Sequence, residues 1–221
     1  MVSTSQLVNQ SLRRHVTPLL RDGGFQKVDA RNGWHWRDKV IWVFNIRAVG
    51  GNFGDVTGWP PSSVGVWLGI CYAFAPVWLS IKRDKEGRLQ PAEHECHMRS
   101  HLECGLDQAQ LVQRLRNPAE RRRKDIWWVD PNGGNAEAVA KDVAASLSQN
   151  GFQWFSRISN LETALALVER EHDCFIKFVK AAFLARELSD TERWQKYDSL
   201  AETEAKRIGK SVDRNTWYIS A

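Results

Sequence analysis

Residues 94–104 read HECHMRSHLEC, with three His and two Cys among them. Wound as a helix, this stretch puts His97 and His101 on one face at the i, i+4 spacing that zinc sites use. Laid out as a strand, it sorts into two rows. His94, Cys96, Met98, Ser100, Leu102 and Cys104 line one face, and Glu95, His97, Arg99, His101 and Glu103 line the other. The first row is mostly small or apolar and the second wholly polar, which is the alternation of a half-buried strand. In a strand His97 and His101 stand about 13 Å apart, too far to share one ion. The helical hydrolase pattern HExxH also fails, because Met98 stands where its second His belongs. The strand is the preferred reading, with no metal and no cofactor expected. The alternative is a metal-dependent hydrolase with His97, His101 and Cys104 as ligands.

Upstream, the same period continues. In 40–47, Val40, Trp42, Phe44 and Ile46 face one way, and Ile41, Val43, Asn45 and Arg47 the other. The run VGVWLGICYAF, 64–74, reads as a buried strand. Gly65 and Gly69 flank Trp67 on one face of it, making room for the indole or for backbone packed above it. Asn32-Gly33 signals a two-residue hairpin between strands near 25–31 and 34–38. Residues 5–21 form an amphipathic helix that contains Pro18 and stops at Gly23-Gly24. Residues 49–63 and 82–93 read as loops.

Downstream, 106–116 reads as a short helix and DIWWV, 125–129, as a short closing strand. From residue 134 the period becomes helical. One helix ends at Gly151, the next is capped by Ser159 with Glu162 three positions on, and two more follow, the last charged and mostly exposed. Strands in the middle and helices at the end predict an α+β fold. The expectation is an antiparallel sheet of about five or six strands with helices packed on one face, in a domain spanning 1–170, plus a C-terminal helical extension, 171–221.

The net charge of +5 is local. Residues 114–124, RLRNPAERRRK, carry six basic residues and one Glu, which leaves the rest of the chain neutral. Arg121, Arg122, Arg123 and Lys124 could hold phosphates while Trp127 or Trp128 stacks on a base. The competing reading is a solvated turn followed by a strand whose two Trp point to opposite faces. The composition includes 11 Trp, which suits a Trp-rich core better than an aromatic platform. Cys71, Cys96, Cys104 and Cys174 show no CxxC spacing and read as free thiols of a reducing compartment. No apolar run approaches the roughly 20 residues of a membrane span, and the N-terminus lacks a signal-peptide pattern, so a cytoplasmic protein is expected. Walker, Rossmann and GxSxG motifs are missing, and His15, His35 and His172 stand singly.

Several short patterns occur in order: Gly24-Phe25 after the first helix, GWHWRD, VIWVFNIRA, VGVWLGICY, CHMRSHL, IWWV and GFQWF. Together they resemble an uncharacterised bacterial family, the domain of unknown function numbered 4304, over about residues 6–168. That family has no established activity, so the resemblance implies only an α+β fold and a cytoplasmic bacterial setting. The leading expectation is a non-catalytic protein-interaction module. Its partner or self-association surface would be the helices of 172–208, through Phe175, Phe178, Val179, Phe183 and Trp194. A nucleic-acid-associated protein using 114–124 with Trp127 and Trp128 is the alternative beside the hydrolase.

Overall fold

The computed structural model describes residues 2–76 and 81–209, and the paired strands β7 (Ser211–Asp213) and β8 (Tyr218–Ser220). Of the expected extension, residues 210, 214–217 and 221 lie outside the described residues.

Helix α1 (Thr4–Asp22) opens on a capping box: the Ser3 hydroxyl accepts the Gln6 N–H, and the Gln6 side chain accepts the Ser3 N–H. Val8, Leu12, Val16 and Leu20 form its buried stripe. Strands β1 (Lys27–Val28), β2 (Asn32–Arg37) and β3 (Val40–Ala48) follow as antiparallel neighbours. The expected Asn32-Gly33 turn is not used. Both residues lie inside β2, with Gly33 opposite Phe44. The chain instead reverses at Asp29, whose Oδ1 accepts the N–H groups of Arg31 and Asn32 at 2.8 and 2.7 Å. Gly33 serves packing: a Cβ there would stand 2.9 Å from the Phe25 ring.

The expected loop 49–63 contains a helix, α2 (Gly51–Thr57), before β4 (Val64–Tyr72). Strand β4 is central. It pairs with β3 along its whole length on one edge. Its other edge is shared by β5 (Met98–His101), along Trp67–Ile70, and β6 (Ile126–Trp127), at Val64–Gly65. The result is the expected six-stranded antiparallel sheet. Helix α3 (Ala109–Val112) lies between β5 and β6 in sequence.

On the front face, Trp42, Phe44 and Ile46 of β3 and Val66, Leu68, Ile70 and Tyr72 of β4 meet the helices. These are α1, α4 (Ala136–Ser146), α5 (Phe152–Ser159), α6 (Leu161–Val168) and α7 (Phe175–Glu187). Trp42 stacks on Phe155 at 4.9 Å between centroids, and its Nε1–H donates to the Ser159 hydroxyl at 2.6 Å. Ser159 is therefore not a cap. Asn160 caps α6, accepting the Thr163 N–H at 2.9 Å. Gly151 does not end the preceding helix either. A π-turn, Leu147–Gly151, carries α4 directly into α5.

The C-terminal pair is continuous with this core. Phe175, Phe178, Val179 and Phe183 are buried in the same apolar cluster as the sheet, so the residues expected to meet a partner are covered within the chain. Helix α8 (Thr191–Arg207) packs on α7 through Tyr197, Ala201 and Ala205 and leaves Trp194 half-exposed. No helix among the described residues is long and apolar enough to cross a membrane.

The back face is divided. One half, Trp34, Ile41, Val43 and Cys71, is roofed by Ile81, Leu89 and Cys96 of the segment leading to β5. The Trp34 and Trp36 indoles fasten that roof by donating to the carbonyls of Pro91 and Leu89, at 2.8 and 2.6 Å. The other half carries Asn45, Arg47, Trp67, Arg99 and His101, each partly or fully exposed.

Candidate functional site

The strand expected over 94–104 is shorter than its alternation suggested. Glu93–Glu95 form a 3-10 turn, so His94 leaves the inward row and is exposed. Only Met98–His101 pair as strand, with the alternation running on through buried Leu102 and exposed Glu103. His97 departs from the solvated row. Its Nδ1 accepts the Tyr72 N–H at 3.0 Å, which puts the ring proton on Nε2, where it donates to the Pro76 carbonyl at 2.9 Å. Burial pushes this imidazole down to about 4, with Lys180 acting in the same direction and the Pro76 bond opposing. Both nitrogens are spent, so no lone pair is left for a metal. His101 faces out across from Trp67, and Cys104 is half-buried with its thiol pushed up to about 12 by burial. His97, His101 and Cys104 are not brought together. Among the described residues no group of three or more His, Cys, Asp or Glu is placed to hold a metal ion.

The basic run is also rearranged. Arg123 is gripped by Asp125 and Glu120, and Arg121 donates to the Leu115 carbonyl at 3.2 Å. Arg122 and Lys124 are exposed. Trp127 is fully buried, its Nε1–H on Asp142 at 2.7 Å, and Trp128 is buried against Trp59 at 5.7 Å between centroids. Neither ring is presented to a base, contrary to the stacking expectation. Burying an indole whose N–H is satisfied stabilises more than leaving it wet.

Of the two uses expected of the glycines beside Trp67, room for the indole is realised at Gly65, on the bare half of the back face, while Gly69 lies under the roof. A Cβ on Gly65 would stand 2.3 Å from the Trp67 ring, so the indole lies across it. A Cβ on Gly69 would stand 2.6 Å from the Cys96 Sγ, so the roof packs there. Glu93, unremarked in a polar stretch of sequence, is the pivot. Its side chain is 0% exposed, and its oxygens accept from Arg47 Nη2 at 2.9 Å and Arg99 Nε at 2.6 Å. Arg47 also donates to Asn45 at 2.8 Å and lies over the Trp67 ring at 5.4 Å. The two guanidiniums are thereby fixed while half of each stays in water.

Strand β5 is an edge. Leu102 N–H bonds to the Val66 carbonyl at 3.0 Å, which sets the alternation of the ladder. Ser100 and Met98 bond toward β4, while the N–H and C=O groups of Arg99 and His101 point away from it. Those outward groups have no partner among the described residues. Beside this edge lies a cleft of about 300 Å³ floored by Leu68 and Leu102. Its far wall is Asn150, Gln153, Trp154 and Arg157, which the i, i+3, i+4, i+7 spacing places on one helix face. The side chains of Asn150, Gln153 and Arg157 make no hydrogen bond within the described residues, and no carboxylate lines the cleft. The π-turn sets this wall: Gly151 comes against Leu102, where a Cβ would stand 3.5 Å from its Cδ2. These wall residues were legible as a helix, but their meeting with β5 is a tertiary fact with no local signal.

No family model, curated protein or solved structure matches the chain, so the likeness to the family numbered 4304 rests on its sequence patterns alone.

Proposed function

We propose that this protein is a non-catalytic protein-interaction module that takes an extended segment of its partner as an added strand on β5. The observation that carries the reading is the row of outward backbone groups at Arg99 and His101, next to a cleft whose polar wall is unpaired. Main-chain pairing there supplies about four hydrogen bonds, each contributing a net ~1 kcal/mol. That alone corresponds to millimolar binding, so side chains entering the cleft must supply the rest of a micromolar affinity. Catalysis is disfavoured by the state of the reactive groups. Burial raises the Cys71, Cys96 and Cys104 thiols, and the His97 nitrogens are engaged.

The test is selection of peptides on the 221-residue chain from a displayed library, followed by amide hydrogen exchange of the complex. Arg99 and His101 amides should gain protection. A His101→Pro variant removes one outward donor and no bond to β4, so its Tm should stay within a few degrees while binding weakens about tenfold. In the peptide, N-methylation should abolish binding at alternate positions only. Selected peptides that protect a different surface, or an N-methyl scan without period two, would replace this reading.

A further inference from the structure

We infer that the added strand is acidic, carrying carboxylates at three successive positions beside Arg99, Ser100 and His101. The inference rests on the strand-addition reading and specifies the chemistry of the partner. An added strand alternates its side chains between the two faces of the sheet. The residue opposite Ser100 points to the front and enters the cleft. There the one charged side chain is Arg157, which has no carboxylate partner among the described residues, with the amides of Asn150 and Gln153 beside it. The residues opposite Arg99 and His101 point to the back. There they meet the Arg99 guanidinium, held by the sunken Glu93 with its side chain 48% exposed, and the exposed His101 ring.

Every charged side chain that the three partner residues would meet from β5 and the cleft is therefore cationic or a histidine, and Asp125, the carboxylate that acts on His101 from beside β6, is paired with Arg123. The one exposed carboxylate close along the chain, Glu103, lies two positions beyond β5 and repels an acid placed there, which limits the register to 99–101. Glu93 does not reverse the sign, because its charge is spent on two arginines. Opposite-charge neighbours across a strand pair are favourable and like-charge ones unfavourable, so the same geometry selects against a basic strand.

The probe is a fluorescein-labelled peptide of threonine and valine with three central glutamates, measured by anisotropy on the full chain. It is compared with versions carrying glutamine or lysine at those positions. The glutamate peptide should bind roughly ten times more tightly than the glutamine peptide, and the lysine peptide should bind weaker still. Its affinity should fall with added salt. Arg157→Glu, a change at an exposed position, should remove the advantage of a glutamate at the central position and give it to lysine. Equal binding of all three peptides, with Arg99 and His101 amides still protected, would overturn the acidic assignment and leave strand addition standing. Loss of that protection would remove both. A single-stranded oligonucleotide competing as strongly as the glutamate peptide would also overturn it, by reducing the preference to general anion attraction.

Discussion

The backbone N–H of Tyr72, at the end of β4, is received by the Nδ1 of His97, 3.0 Å away. A side chain thus occupies the place where the ladder to β5 runs out, and it can do so only as the neutral imidazole. The folded protein holds this ring at about 4 instead of the ordinary 6.5, so the unfolded chain takes up a proton between those values that the folded one refuses. The stabilisation is complete above pH 6.5 and is lost as pH falls toward 4. Between pH 7 and pH 5 the unfolding free energy should drop by about 2 kcal/mol from this residue. His35, also held low by burial, adds a slope of the same sign. A His97→Asn variant offers an oxygen near the Nδ1 position without titrating, and urea titrations at the two pH values should show a shallower decline. An unchanged slope would dissociate the acid sensitivity from this bond.

Glu93→Gln should cost about 2 kcal/mol of stability, because the isostere keeps the shape but weakens charge-assisted hydrogen bonds to two guanidiniums that are themselves half in water. Denaturant midpoints measure this. A loss under 1 kcal/mol would mean water reaches the cluster.

Gly69→Ala and Gly65→Ala should differ although both place a methyl group in close contact. At Gly69 the methyl meets Cys96 within the packed roof, so overpacking should cost about 1–3 kcal/mol. At Gly65 it meets the outer end of the Trp67 ring, which can swing over an open face, and the Asp125 carbonyl at 3.1 Å, which has little room to give, so the loss should be smaller than at Gly69, about 1 kcal/mol. Thermal melts of the two variants decide the order.

A chain cut after residue 170 should fail to fold. It loses the burial of Phe175, Phe178, Val179 and Phe183, each contributing about 1.5–3 kcal/mol, a total comparable to the whole stability of a typical domain. Near-UV circular dichroism of the shortened chain should show no fixed aromatic signal. A native-like spectrum would mark 1–170 as self-sufficient.

Cys71 and Cys96 should resist a thiol reagent at pH 8 and react at once in denaturant. Both are buried and burial holds both thiols protonated, Cys71 up to about 12 and Cys96 well above its ordinary value. Rapid labelling of either in the native protein would show that the roof over the back face opens.

The sheet was legible because β3 and β4 spell their faces in period two, down to Asn45 and Arg47 standing apart from the apolar row. What misled were residues whose local preference lost to a longer-range demand. Asn32-Gly33 is a strong turn pair, but Asp29 makes the turn and Phe25 needs the bare Gly33. Ser159 looks like a cap, yet the Trp42 indole claims its hydroxyl. His97 sits in the row that faces water, yet the end of a neighbouring strand draws it in. The site was half legible. The outward placing of Arg99 and His101 follows from alternation, whereas Glu93 beneath them and Arg157 across the cleft are brought there by turns 3-10 and π in character, which leave no periodic trace.

The packing of α1 on α4 has a consequence for synthesis. The sheet residues that α1 packs on are made soon after it, but the part of its apolar stripe that α4 covers must wait for a partner more than a hundred residues behind it. At ordinary translation speeds that delay is roughly 6–23 s. Sealing waits longer still, until α7 has emerged. Until then that apolar surface stays open on the nascent chain, and pauses in the second half of its message would prolong the exposure.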